Sequence, residues 1–359
     1  MIVRQLFDQT SSTYTYVLAD ERTHEAVLID PVFEQHTRDA ALIRELGLTL
    51  VCTLDTHLHA DHVTGSWLMR RALGSKIALS SAYSAANIDL PLSHGQIIRF
   101  GECSLEVRAT PGHTEGCLSY VVPATAAGTP RMVFTGDALL VRSAGRTDFQ
   151  HGDAHRLYHS IKEQLFTLPD ECIVYPAHDY DGRTSSTIAE ERLYNPRIGG
   201  GAREEDFVGY MRNLKLPHPK QIAVAVPANL RAGEPEDGLA PPAPTWGPVV
   251  ITYAGVPEVA PEWVALHRDR LRVLDVRTPA EFDGELGHVD GAQLVPLDDL
   301  RDRLQEVEHD KPVVVVCRTG RRSAMGTQIL TKAGIKEAAN LSGGMVRWRD
   351  LGLPVTERR

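Results

Sequence analysis

The chain has 359 residues, 42% of them hydrophobic and 24% charged, which suits a soluble globular protein with material for two domains rather than one. A formal net charge of −9 argues against a general nucleic-acid binder. The opening MIVRQLFDQT has no apolar leader-like core, and no later stretch approaches ~18 consecutive apolar residues, so no membrane span and a cytoplasmic location are expected.

Strands are predicted over 13–20 (TYTYVLAD) and 25–31 (EAVLIDP), followed by an amphipathic helix over 37–47 that ends at Gly47. LTLVCTLDT (48–56) reads as a buried strand delivering the chain into HLHADH. A helix over 65–74 (GSWLMRRALG) comes next, then short strands at IIRF, SLEVRAT and LSYVV between turn signals. RMVFTGD and CIVYPAHD share one arrangement, an apolar strand ending in polar residues able to hold a metal. Ligands at strand ends sit on a rigid scaffold yet stay open to substrate. Residues 233–248 are dense in Pro, Gly and Ala without hydrophobic period, and read as a linker between domains at 1–232 and 249–359. Beyond it, strands at 272–277, 312–317 and 337–342 alternate with helices at 261–269, 297–307 and 323–334, the pattern of a parallel sheet covered on both faces.

Five cysteines are present, widely spaced and without a CxxC pair, so neither a disulfide framework nor a zinc ribbon is indicated. Cys52, Cys103, Cys117 and Cys172 read as small buried hydrophobes, whereas Cys317 sits in a loop of different character.

The strongest signal is His57, His59, Asp61 and His62, four candidate ligands within six residues at the end of an apolar strand. Imidazoles clustered this way repel when protonated and must be satisfied when buried, and a bound cation resolves both problems. His113 in TPGHTEG, Asp137 in FTGDALL and His178 in YPAHDYD complete a set of seven. On donor count alone the set admits one metal or two.

HLHADH, TPGHT, TGD and PAHD together resemble the metallo-β-lactamase superfamily, which implies an αββα sandwich. The segments PGHTEGCLSYV, GRTDFQ and PANLR are more particular, and over residues 1–232 the chain resembles the persulfide dioxygenases. The resemblance implies one Fe(II) per chain, held by His57, His113 and Asp137. A 2-His-1-carboxylate triad of that kind leaves adjacent positions free for a substrate donor and O₂. His59, Asp61, His62 and His178 would then orient the ligands and shape the pocket. The substrate implied is glutathione persulfide, oxidised to sulfite and glutathione. Arg142 and Arg146, just after Asp137, are candidates to pair with the glutathione carboxylates, the plainer reading being salt bridges to Asp148 or Asp153. Asp179 reads as structural.

PVVVVCRTGRRSAMG places Cys317 between a buried strand and a helix starting near Ser323. The loop Arg318, Thr319, Gly320, Arg321, Arg322 would turn backbone N–H groups and positive charge towards an anionic sulfur. It resembles the rhodanese loop Cys-x-x-Gly-x-Arg, and LDVRTPAEFDGELGHVDGA and LSGGMVRWRDLGLPV extend the likeness over 249–359. That implies a rhodanese-like α/β domain in which Cys317 carries sulfane sulfur among persulfide, sulfite and thiosulfate. Asp275 and Arg277 are expected to form a salt bridge that holds the fold. Two rival readings stay open: a two-metal glyoxalase II-type thioester hydrolase fused to a rhodanese, and a non-catalytic zinc- or sulfur-binding sensor.

Overall fold

The structure, a computed structural model, describes residues 1–124, 131–242 and 244–356. The chain divides into two compact units, Met1–Ala240 and Pro241–Arg359. Among the described residues no helix is long and apolar enough to cross a membrane.

The first unit holds two six-stranded sheets. One runs β1 (Ile2–Asp8), β2 (Thr13–Ala19), β3 (Glu25–Ile29), β4 (Thr49–Leu54), β5 (Lys76–Ser80) and β6 (Leu90–Leu92), in that spatial order. The other runs β7 (Ile97–Phe100), β8 (Cys103–Ala109), β9 (Leu118–Val122), β10 (Met132–Gly136), β11 (Ile173–Pro176) and β12 (Ser186–Thr187). Alternation along each strand decides which face is inside. Tyr14, Tyr16 and Leu18 of β2 join Leu105 and Val107 of β8 and Met132 and Phe134 of β10 in the core between the sheets. Val17 and Ala19, one residue out of step, pack outward with α1 (His36–Glu45) and Met69 of α2 (Ser66–Leu73). On the far side Val133 and Val174 pack with Leu157 of α3 (Ala154–Ser160) and with Phe207 and Met211 of α5 (Glu204–Arg212). Ile188 of α4 (Ile188–Tyr194) lies in the same layer. The result is helices, sheet, sheet, helices, the expected αββα sandwich. A last helix, α6 (Ile222–Asn229), ends in the PANLR segment, after which Glu234 accepts a bond from Asn87 Nδ2 at 2.7 Å within the same unit.

The second unit has one sheet in the order β13 (Val250–Ile251), β14 (Pro257–Val259), β18 (Ala338–Leu341), β17 (Val313–Val316), β15 (Arg272–Asp275), β16 (Gln293–Leu294). All its pairings are parallel except the edge hairpin of β13 with β14. Helices α7 (Pro261–Leu266), α8 (Pro279–Phe282), α9 (Arg321–Lys332) and α10 (Gly344–Asp350) complete it. β17 is four consecutive buried valines, as a strand covered on both faces requires. Asp275 and Arg277 form the expected salt bridge, with both side chains 1% exposed.

One predicted helix is absent. Residues 297–307 form turns and a single 3₁₀ turn at Leu304–Glu306, not an α-helix. Their backbone bonds run mostly three residues back (Leu300 to Leu297, Asp302 to Asp299, Glu306 to Arg303), so the apolar period came from a chain wound more tightly than it implied.

Candidate metal centre and cysteine loop

The seven predicted metal-capable residues meet at one end of the sandwich, each just past a strand. His57, His59, Asp61 and His62 follow β4, His113 follows β8, Asp137 follows β10 and His178 follows β11. Gly136 makes the turn out of β10 with φ 55°, where a Cβ would come within 2.8 Å of Thr56. Two clusters result. His57, His113 and Asp137 can place one ligand atom each within 4.8 Å of one another, and so can His59, Asp61, His62 and His178.

In the first cluster the hydrogen bonds settle which ring nitrogen is free. Asp30, directly after β3, accepts Thr56 Oγ1–H at 2.8 Å. The Thr56 oxygen must therefore accept from His57 Nδ1–H, 3.0 Å away, which leaves the His57 Nε2 lone pair uncommitted. His113 Nδ1–H donates to the Arg146 carbonyl at 2.7 Å, with the same consequence for its Nε2. Asp137 Oδ1 accepts from His178 Nδ1–H at 2.6 Å, while its Oδ2 lies 3.6 Å from His113 Nε2. Two imidazoles whose Nδ1 atoms are both committed as donors, together with one carboxylate oxygen, form a donor set that suits a divalent cation. Burial, reinforced by the neighbouring His59, pushes the His57 imidazole well below its ordinary range, so this ring is neutral and can ligate.

In the second cluster His178 is fully committed, while His59 and His62 each keep one nitrogen without a hydrogen bond. His178 spans two carboxylates, donating from Nδ1 to Asp137 and from Nε2 to Asp61 at 3.0 Å. Burial would lower its basicity, but those two carboxylates outweigh it and hold the ring well above the usual imidazole range. Asp61 answers in kind: burial pushes its carboxyl up, and His178 and His62 bring it well below the ordinary value. His59 donates Nε2–H to Asp30 at 3.1 Å, leaving its Nδ1, 3.9 Å from Asp61 Oδ1, without a hydrogen bond among the described residues, as is His62 Nε2.

Several residues that build the site carried no metal-like signal in the sequence. Asp30 anchors Thr56 and His59 together. Asn229, from PANLR, is 3% exposed. Its amide donates to the carbonyls of His59 and His62, both at 2.9 Å, and its oxygen accepts Thr64 N–H at 2.8 Å, closing the ligand turn from behind. Gly145 of GRTDFQ lies so near that a Cβ would come within 2.1 Å of the Asp137 carbonyl and 2.9 Å of the His113 ring. A motif read as a family signature is thus a close backbone approach behind two candidate ligands.

Arg146 and Arg142 both have partners in the chain. Arg146 makes two 2.7 Å bonds to Asp148, reaches the carbonyls of Leu216 and Pro217, and stacks over Phe149, whose ring stands edge-on to His113. Arg142 pairs with Glu190 and Glu191, not with Asp148 or Asp153. Glu191 is fully buried. Arg142→Ala is expected to lower stability by about 3 kcal/mol in urea unfolding, because Glu191 keeps only Ser186, Asn195 and one backbone N–H. Unchanged stability would leave open the substrate-pairing role read from the sequence. Asp179 accepts the N–H groups of Asp181 and Arg183, which is the structural part expected of it.

In the second unit Cys317 follows β17 directly and is 1% exposed. Gly320, at φ 90°, turns the loop into α9, which begins at Arg321 and has no side chain capping its first turn. Its leading N–H groups are therefore available to an anion beside the sulfur. The backbone of Met345 donates to the Cys317 carbonyl at 2.9 Å and that of Val346 to Arg318 at 3.0 Å. Gly344 must be glycine there, since a Cβ would lie 2.4 Å from the Cys317 oxygen. Arg318, Thr319 and Arg321 are exposed. Arg322 is paired to Glu281 through both carboxylate oxygens, and that pairing brings the Glu281 carboxyl down to about 2. The positive charge left to face an incoming anion is then that of Arg318 and Arg321. Ser323, on the first turn of α9, donates its hydroxyl to Cys317 Sγ at 3.1 Å. Cys52, Cys117 and Cys172 are buried and burial pushes their thiols up, to about 12, 12 and 11, as inert packing cysteines should be; Cys103 is half-buried.

Residues 9–178 match the metallo-beta-lactamase superfamily and residues 260–351 the rhodanese-like domain. The chain is 52% identical over 233 residues to the human mitochondrial persulfide dioxygenase ETHE1, an alignment covering 65% of this chain and 89% of that protein. The crystal structure of ETHE1 from Myxococcus xanthus superposes with a TM-score of 0.61 at 50% identity, covering 65% of this chain and all of that one. A metallo-beta-lactamase from Staphylococcus aureus superposes with a TM-score of 0.59 over 95% of this chain and 98% of its own, and at 22% identity speaks for the fold alone.

Proposed function

The chain belongs to the persulfide dioxygenase family of the metallo-beta-lactamase superfamily, with a rhodanese-like domain after it, and from that premise we propose a bifunctional sulfur enzyme. At the first site it oxidises glutathione persulfide: R–S–SH + O₂ + H₂O gives R–SH and sulfurous acid, ionised to sulfite. At the second, Cys317 passes sulfane sulfur among persulfide, sulfite and thiosulfate.

The observation that carries the first half is the fixed tautomers of His57 and His113, whose free Nε2 atoms gather with Asp137. These three residues would hold a single Fe(II), which would supply the redox chemistry that joins the persulfide sulfur to O₂. The remaining groups act on the ligands. Thr56 and the Arg146 carbonyl keep the two imidazoles turned inward, and His178 restrains the second oxygen of Asp137. Both ring nitrogens of His178 are committed to Asp137 and Asp61, so that imidazole is not free to hold a second ion, which favours one metal over two.

For the second half, support comes from the Cys317 loop: an uncapped helix start, a glycine turn and two exposed arginines next to a thiol. The deciding measurement is O₂ uptake by iron-loaded protein given glutathione persulfide. One sulfite formed per O₂ consumed, with one iron per chain, is expected. Thioester hydrolysis with two metals per chain and no persulfide-dependent O₂ uptake would replace this reading with the glyoxalase II type.

A further inference from the structure

The hydroxyl of Ser323 meets Cys317 Sγ inside a site where both side chains are buried, Ser323 fully and Cys317 to within 1%. A serine in a first helical turn normally turns its hydroxyl to solvent or to the backbone. This one does neither. It donates to sulfur at 3.1 Å, while its own carbonyl accepts the Thr327 hydroxyl at 2.9 Å and fixes the turn. From the other side, Met345 N–H holds the Cys317 carbonyl and Gly344 packs against it, which fixes the backbone that carries the sulfur. Arg322, next to Ser323 in sequence, is occupied by Glu281 and does not substitute for this donor.

We propose that Ser323 is a catalytic residue of the sulfur-transfer reaction, donating its hydroxyl proton in a hydrogen bond to Cys317 Sγ when that sulfur carries negative charge. The inference rests on the reading of Cys317 as the sulfur carrier. In the loading half-reaction the Cys317 thiolate attacks the sulfane sulfur of thiosulfate. A bond forms between Sγ and that sulfur, the sulfur–sulfur bond of thiosulfate breaks, and sulfite leaves with the electron pair. In the discharge half-reaction an acceptor thiolate or sulfite attacks the sulfane sulfur. The Sγ–S bond breaks, and its electron pair returns to Cys317 Sγ as thiolate. Charge grows on Sγ in the discharge, and a donor already aimed at the atom stabilises it without reorganisation. In loading the same bond stabilises the starting thiolate, so its benefit to the attack is smaller. The two halves should respond unequally to loss of the hydroxyl.

The experiment compares wild type, Ser323→Ala and Cys317→Ser, all full length and all checked for folding by thermal unfolding. Cys317 is loaded with thiosulfate, freed of excess donor, and mixed rapidly with sulfite. Ser323→Ala should discharge about 10–100-fold more slowly than wild type, the worth of one hydrogen bond to a charged atom. Its loading rate should change much less, and the KM for thiosulfate should stay within about two-fold. A role confined to packing would slow both halves together or shift the melting point without this split. Discharge within about two-fold of wild type, in a wild type that does transfer sulfur, overturns the role of Ser323 alone. A wild type that forms no persulfide, or a Cys317→Ser protein that still transfers sulfur, overturns the carrier reading and this inference with it.

Discussion

Alanine at His57, His113 or Asp137 is expected to remove iron and persulfide-dependent O₂ uptake together. In the proposed site each supplies one of three donors, so the two left should not hold the ion with affinity, and the loss should exceed the about 10–100-fold that follows removal of an orienting partner. Replacing the orienting groups should separate the two readouts. His59→Ala and His62→Ala leave all three donors in place while disturbing the bonds to Asp30 and Asp61 that shape the ligand turn. Iron content in these variants should fall less than activity. Thr56→Val is the sharper case. It takes away the oxygen that fixes the His57 tautomer and leaves the fold's apolar contacts intact, so iron affinity should weaken by about 10–100-fold. Iron measured by absorption spectrometry after gel filtration, beside O₂-electrode rates, tests all of these. Two tightly bound metals per chain in the active protein, or an Asp137→Ala variant that keeps its iron, would end the single-iron assignment.

The parts of the fold and site that reading the sequence captured are those in which one residue type has one use. The cluster at 57–62 could be recognised because buried imidazoles and carboxylates at such density have few structural roles, and the structure brings all seven predicted residues to one end of the sandwich. Buried strands such as 313–316 were recognisable for the same reason: four valines in a row suit a doubly covered strand. What escaped were residues whose use depends on a distant partner. Asn229 lies 165 residues from the backbone N–H it accepts, and nothing around it in PANLR indicates a clamp. Thr56 reads as an ordinary strand residue until Asp30, arriving from β3, accepts its hydroxyl hydrogen bond and turns its lone pair towards His57. The two arginines were open in the sequence between substrate carboxylates and internal salt bridges to Asp148 or Asp153. Arg146 makes the Asp148 bridge, while Arg142 is met by Glu190 and Glu191 from later in the chain. Charge is visible in a sequence, whereas whether the fold has already neutralised it is not. The absent helix at 297–307 belongs to the same class, since an apolar period near 3.6 does not distinguish an α-helix from a chain of tight turns over a core.

Cys317→Ser is expected to divide the two chemistries. The substitution keeps the size and polarity of the side chain but replaces a thiolate nucleophile with a hydroxyl that stays protonated at neutral pH. Cys317 belongs to the second compact unit, and every candidate iron ligand to the first. Each unit has its own buried core, so iron content and the melting of the first unit should be unchanged. The variant should consume O₂ at the wild-type rate when given glutathione persulfide directly. Given thiosulfate and glutathione, it should consume none, because the persulfide must then be made at Cys317, whereas wild type should respond to the mixture as far as transfer runs in that direction. The difference between the two substrate regimes is therefore the measurement, and it needs no assumption about how the units are arranged. Loss of O₂ uptake from glutathione persulfide itself, with iron and folding intact, would mean that Cys317 takes part in the oxidation and that the two sites are not independent.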